Sequence, residues 1–85
     1  MNYLLSEKTK IRMSDHQITK KDIKLFFEIG KKIKTKRKDA YIRYIPNRVI
    51  LKNKYLMKYK NIYIIERKGI VLDIFKNESF RLYRP

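Results

Sequence analysis

The residues best able to do chemistry in this chain are one histidine, a few arginines, a tyrosine and a glutamate. Histidine exchanges protons near neutral pH more readily than other side chains, so His16 is the obvious candidate for a general acid or base in phosphodiester transfer. Arg12 and Arg81 could stabilise a phosphorane-like transition state, and Tyr83 and Glu66 could transfer protons. Each also has a structural interpretation: an exposed turn histidine, surface arginines, a charge at the end of a strand.

The composition excludes several other kinds of site. The chain has no Cys, which excludes disulfides, thiolate zinc sites and a cysteine nucleophile. Gly30 and Gly69 are its two glycines, so a glycine-rich phosphate loop is excluded. With one His and scattered carboxylates, we expect no metal site and no cofactor. A ribonuclease that works without metal stays open, because it needs only a few His, Arg, Lys, Tyr or Glu side chains.

The net charge is the strongest indication of a partner. The 85 residues include 23 Lys or Arg and 8 Asp or Glu, which gives a formal net charge of +15. A field of this sign attracts polyanions at long range and is screened by salt. The sequence therefore predicts RNA or the ribosome as partner. An acidic membrane is the least favoured polyanion, because the sequence contains no long basic amphipathic helix.

The cations concentrate in the middle of the chain, where most residues from 31 to 38 are basic. We interpret this run as a loop or bent edge strand that contacts an anion, against the alternative of a solvated connection. Just beyond it, strand alternation places Tyr41 and Arg43 on one face and Ile42 and Tyr44 on the other. The predicted RNA-binding residues are Lys31, Lys32, Lys34, Lys36, Arg37, Lys38, Arg43 and Arg48.

Two helices are predicted before Gly30. The first follows an N-cap at Ser6 and runs to about Ser14. The second follows Thr19, with Asp22 as its capping-box partner. Gly30 is predicted to end this helix in a left-handed conformation.

The residues after Gly30 predict an antiparallel sheet. Residues 31–39 form a basic connection, and β-forming residues separated by short turns follow. Such short turns favour antiparallel hairpins over crossovers. We therefore expect one α+β domain over residues 1–85, with two N-terminal helices packed on a four- to five-stranded antiparallel sheet. The predicted strands are 40–45, 48–51, 55–59 and 62–66 (as one long strand or two), 70–75 and 80–83.

One stretch of the sequence resembles a known group of proteins. Residues 12–23, R-M-S-D-H-Q-I-T-K-K-D-I, with Gly30 after them, resemble an uncharacterised family of small bacterial and phage proteins. That family begins roughly H-A-x-x-R-M-x-x-R-x-I-S/T-x-x-D-I and is similar in layout to ribonuclease toxins of the RelE/barnase type. The resemblance covers nearly the whole chain in order of elements and about a dozen residues in detail.

The resemblance implies an RNA-targeting toxin with an acidic antitoxin as partner. It implies a catalytic set of Arg12, His16, Arg81 and Tyr83, because residues 80–84 look like the Arg- and Tyr-bearing end of these toxins. The sequence departs from the family pattern at two positions. Lys8 falls where the family has its leading His, and His16 falls where the family has its second Arg.

Three functions fit this sequence. The first is an RNA-binding, toxin-like protein of the cytoplasm that cleaves mRNA or ribosomal RNA without metal. The second is a non-enzymatic ribosomal protein, cytoplasmic or in an organelle matrix, which binds by counterion release and shape. The third and weakest is a phage or mobile-element accessory protein that binds nucleic acid. The two helices around His16 allow that function, although the Phe-rich face of the second helix looks committed to the core.

Overall fold

The structure, a computed structural model, describes residues 4–76. These residues form an α+β fold with helices at the N-terminal end and one sheet, so the predicted fold class is confirmed. The predicted strand 80–83 lies outside the described residues, as do Arg81 and Tyr83. The elements are β1 (Leu4–Leu5), α1 (Glu7–His16), α2 (Lys20–Ile29), β2 (Lys31–Lys34), β3 (Ala40–Tyr44), α3 (Asn47–Lys52), a 3₁₀ helix (Lys54–Tyr59), β4 (Ile62–Arg67) and β5 (Ile70–Lys76).

The sheet is mixed, with strand order β1-β5-β4-β3-β2. Strands β2 to β5 are antiparallel neighbours, as expected, whereas β1 lies parallel to β5. A two-residue turn joins β4 to β5, in the gap between the predicted strands 62–66 and 70–75. Lys68 and Gly69 both have positive φ there, 48° and 78°, which matches the right-handed twist of the flanking strands.

The capping residues position both N-terminal helices as the sequence predicts. The Ser6 side chain accepts a hydrogen bond from the Thr9 amide and begins α1. That helix continues two residues past the predicted end, to His16, and stops at Gln17 in a left-handed conformation. At the start of α2, Thr19 and Asp22 form a capping box.

Gly30 corrects one prediction. Its φ is −75° and its ψ is 161°, so the helix ends in extended backbone and the left-handed prediction is wrong. A glycine is still required there. A Cβ on Gly30 would lie 2.3 Å from the Phe26 carbonyl oxygen and 2.9 Å from the Tyr44 carbonyl oxygen. The chain therefore passes from α2 into β2 through a space that only a hydrogen side chain fits.

Two predicted strands are helical instead. Residues 48–51 belong to α3 and residues 55–59 belong to the 3₁₀ helix. Pro46 precedes α3, where its fixed φ and missing amide hydrogen suit a helix start. Burial determines the structure here more than strand propensity does. Helical backbone places one stripe of side chains in the core and leaves the other side chains exposed. Ile50 and Leu56 are buried, while Leu51 and Tyr55 are exposed.

The core lies between the helices and one face of the sheet. Phe26 of α2 meets the Tyr59 ring edge-on, with centroids 5.4 Å apart. Ile64 and Ile74 of the central strands are completely buried beneath them. No helix within residues 4–76 has the length and apolar character to cross a membrane.

Candidate nucleic-acid interface

The basic run forms a hairpin at the edge of the sheet. Residues 31–34 are β2, the last strand of the sheet, and a turn over residues 35–39 leads into β3. We call residues 31–44 the basic hairpin. Six of its cations are exposed, and none of these six makes an ion pair with a carboxylate of residues 4–76. They are Lys31, Lys32, Lys34, Lys36, Arg37 and Lys38.

Because of the hairpin register, these cations lie on both faces of the sheet at its edge. Lys32 pairs with Arg43 and Lys34 with Tyr41, so these four side chains lie on the face where Arg43 contacts Phe27 of α2. The Lys32 ammonium lies 4.5 Å from the centroid of the Tyr41 ring. Lys31, opposite Tyr44, points to the other face, which we call the outer face.

Thr35 fixes the turn of the hairpin. Its hydroxyl donates to the Ala40 carbonyl oxygen at 3.0 Å and accepts from the Arg37 amide at 3.1 Å. The Thr35 amide also donates to the Ala40 carbonyl oxygen, and Asp39 takes a left-handed φ of 62°. The backbone that carries Lys36 and Arg37 is therefore held in one conformation.

A cleft of about 530 Å³ lies between this turn, α1 and the outer face. Its cations come from two separate elements, Lys8 from α1 and Lys36 with Arg37 from the hairpin turn. Its remaining lining residues are Thr35, Ala40, Ile65, Leu72 and Asp73. A polar rim around an apolar floor is the usual construction of a small binding site.

Asp73 forms ion pairs that connect α1 to this cleft. Its carboxylate lies 3.3 Å from the Lys8 ammonium and 3.6 Å from the Arg12 Nε atom. Lys8 and Arg12 are four residues apart in α1, so they share one side of the helix. The Asp73 carboxylate also accepts from the Ile74 amide at 2.8 Å, which fixes its orientation. With Lys36 and Arg37 nearby, positive charge exceeds negative charge around the cleft.

A row of aromatic rings crosses the outer face beside the cleft. Tyr63 stacks on Phe75 with centroids 5.2 Å apart, and Tyr44 lies 6.2 Å from Tyr63 on the other side. Burial, followed by the nearby Tyr44, raises the pKa of the Tyr63 hydroxyl, which therefore stays protonated. Tyr44 is half-buried and sits opposite Lys31 in the register. Aromatic and cationic groups are thus adjacent on this face.

No protein-family model, curated protein or solved structure matches the chain. The resemblance to RelE/barnase-type toxins therefore stays a prediction.

Two of the predicted catalytic residues, Arg12 and His16, lie four residues apart in α1 and so share one side of that helix, whereas Arg81 and Tyr83 lie outside the described residues. Arg12 lies beside Lys8 and Asp73, near the cleft. His16 occupies the last position of α1, and its Nε2 atom is buried without a hydrogen-bond partner among residues 4–76. No cluster of three or more His, Asp or Glu side chains that could hold a metal is present in this part of the chain.

Two other predicted residues, Arg43 and Glu66, form an ion pair in the interior of the protein. The Arg43 Nε atom donates to Glu66 at 2.6 Å, and both side chains are largely buried. The Arg43 guanidinium also lies over the Phe27 ring, 4.3 Å from its centroid. This pair joins β3 to β4, so Arg43 and Glu66 face the protein interior. Arg48 is exposed in the first turn of α3, outside the basic hairpin.

Sequence reasoning did not identify three of the polar residues that line the cleft. The spacing of four residues between Lys8 and Arg12 is a signal in the sequence, because residues so spaced share one side of a helix. Asp73 stands as one acid within the apolar stretch 70–75, and such a residue in a strand often has a specific partner. Thr35 had no sequence signal, because its importance depends on the turn that brings Ala40 close.

Proposed function

We propose that this protein binds RNA, and that the basic hairpin contacts the phosphate backbone. The observation that carries the proposal is the set of six exposed cations on one hairpin, none of them paired with a carboxylate of residues 4–76. Like charges held this close repel one another, and a polyanion relieves that repulsion. Phosphate contacts release condensed counterions, so the binding is strongly salt-dependent.

The direct test is titration of fluorescently labelled RNA with the purified protein, read by anisotropy. The test variant is Lys31→Gln/Lys34→Gln/Lys38→Gln, which removes hairpin cations that do not line the cleft. Its matched control is Lys21→Gln/Lys24→Gln/Lys60→Gln, which removes the same charge from exposed lysines elsewhere. We expect the hairpin variant to bind about tenfold more weakly or worse than the control. Equal affinity of the two variants would overturn the proposal.

Metal-independent RNA cleavage is a second candidate function. The observation that favours it is the convergence of Lys8 and Arg12 on the Asp73 carboxylate beside the basic hairpin. The 2′-hydroxyl would attack the adjacent phosphate while the bond from phosphorus to the 5′-oxygen breaks, and the leaving 5′-oxygen would take a proton from water. The Asp73 carboxylate would accept the proton of the attacking hydroxyl, and the two cations would stabilise the charge that develops on the phosphate. In this proposal Asp73 takes the general-base role that the sequence suggested for His16.

Incubation with total RNA and with intact ribosomes in chelator, read on a denaturing gel, tests the second candidate. Discrete cleavage that disappears in Asp73→Asn and Arg12→Gln, and persists in His16→Ala, supports it. Intact RNA under conditions where binding is tight contradicts cleavage and leaves a binding protein. Co-sedimentation with a ribosomal subunit in that case favours the non-enzymatic ribosomal alternative.

A further inference from the structure

The outer face places a cationic cleft and an aromatic row next to each other. Tyr63 and Ile65 are two residues apart in β4, so the row lies about 7 Å along the strand from the floor of the cleft. Tyr44 and Ala40 are four residues apart in β3, about twice that distance, with Ile42 between them on the same face. These distances are comparable with the span of one or two nucleotides.

We propose that this face binds single-stranded RNA, with a backbone phosphate in the cleft and an adjacent base stacked on Tyr44. The inference rests on the proposed RNA binding and names the substrate form. In the cleft, Lys8 approaches from α1 while Lys36 and Arg37 approach from the hairpin turn, so cations surround the phosphate from two elements. The Asp73 carboxylate holds the Lys8 ammonium in position at 3.3 Å.

Tyr44 is the ring of the row that a base would meet. It is half-buried at the side of the row nearest the hairpin, and Lys31 lies opposite it on β2. Tyr63 and Phe75 support it from the other side. A ring held in this way loses little conformational freedom when a base stacks on it. Bases in a duplex already stack on each other, so their faces cannot engage Tyr44, and the site selects unpaired RNA.

The experiment compares one RNA sequence as a single strand and as a duplex. The single strand carries a fluorescent adenine analogue whose emission is quenched by stacking. Two substitutions probe the face, each with a control of the same chemistry. Tyr44→Leu is compared with Tyr55→Leu, which removes an exposed ring from the 3₁₀ helix. Lys8→Gln is compared with Lys10→Gln, which removes an exposed cation from the same helix.

The expected result has three parts. Wild-type protein binds the single strand more tightly than the duplex and quenches the analogue. Tyr44→Leu loses the quenching and weakens single-strand binding about tenfold, whereas Tyr55→Leu does neither. Lys8→Gln reduces the slope of log affinity against log salt by about 0.7, whereas Lys10→Gln leaves it unchanged. Circular dichroism and thermal unfolding show that the variants stay folded.

Two results would overturn the inference and they are distinguishable. If duplex and single strand bind equally, or if Tyr44→Leu matches Tyr55→Leu while the hairpin lysine variant still loses affinity, the single-strand site is wrong and RNA binding stands. If wild-type protein binds neither form, the proposed function itself is wrong, and the inference fails with it.

Discussion

The Thr35 hydroxyl donates to the carbonyl oxygen of Ala40 at 3.0 Å and so closes the turn of the basic hairpin. Because the same hydroxyl accepts from the Arg37 amide, one side chain determines where Lys36 and Arg37 are displayed. This contact links a local turn to the cationic surface that we propose binds RNA.

Replacing Thr35 tests this link. We expect Thr35→Val to lower the free energy of unfolding by about 1 kcal/mol, because both hydrogen bonds are lost from a partly exposed site. RNA affinity should fall by up to about fivefold, the equivalent of that energy. Chemical denaturation and RNA titration measure the two effects. Thr35→Ser keeps the hydroxyl and should restore both. If Thr35→Val retains full RNA affinity, the turn does not position the cations.

The fold was predictable where local chemistry determines it. The Ser6 and Thr19 caps located both N-terminal helices, and the short turn at Lys68 and Gly69 located the last described hairpin. The local sequence pattern failed to predict the structure where burial against residues distant in sequence determines the backbone conformation. Residues 48–59 have strand-forming composition, but Ile50, Leu56 and Tyr59 reach the core only from helical backbone.

The candidate site was predictable to a smaller degree. The basic run was visible as a composition, and its placement on an edge strand and turn agrees with one of the two expected forms. The cleft was not visible, since Lys8 and Asp73 are far apart in sequence and meet only because α1 packs on β5. Sequence also could not show that Arg43 is directed inward, because its partner Glu66 comes from another strand.

Asp22 should make stability depend on pH in the acid range. Burial alone would raise its pKa, but hydrogen bonds from Tyr59, Thr19 and Lys58 outweigh burial and hold the pKa below its ordinary value. A lowered pKa in the folded state means that the contribution to stability is full above about pH 4 and is lost as the pH falls further. We expect Tyr59→Phe to cost about 1–3 kcal/mol at pH 7, because the hydroxyl that donates to the buried carboxylate is gone.

Denaturant unfolding of wild-type protein and of Tyr59→Phe at several pH values checks this account. The cost of Tyr59→Phe should shrink as the pH falls through the lowered pKa of Asp22. In an Asp22→Asn background the cost should be small at every pH. A cost of Tyr59→Phe that is constant from pH 7 to strongly acidic conditions would show that packing of the ring, rather than the bond to Asp22, accounts for it.

The Arg43–Glu66 pair should be far more sensitive to the loss of one partner than of both. Glu66→Ala leaves the Arg43 guanidinium largely buried without its carboxylate, and we expect a loss of about 3–5 kcal/mol. The double variant Arg43→Met/Glu66→Leu removes both charges and should recover most of that stability. Thermal unfolding of the three proteins makes the comparison. Equal destabilisation by the single and double variants would mean that the pair contributes packing rather than charge compensation.

The two glycines should respond differently to alanine. In Gly30→Ala the Cβ meets two backbone carbonyl oxygens, and we expect a loss of about 3 kcal/mol. In Gly69→Ala the Cβ meets open space, and the cost should be about 1 kcal/mol, from the positive φ alone. Urea unfolding measures both. A smaller cost at Gly30 than at Gly69 would contradict the close passage of the chain between Phe26 and Tyr44.

The salt dependence of RNA binding tests the central claim most directly. The affinity of wild-type protein, the Lys31→Gln/Lys34→Gln/Lys38→Gln variant and the Lys21→Gln/Lys24→Gln/Lys60→Gln control should be measured for one single-stranded RNA over a series of salt concentrations. If the basic hairpin contacts phosphates, the slope of log affinity against log salt should fall by about 2 in the hairpin variant and change little in the control. Equal slopes in the two variants would contradict the account.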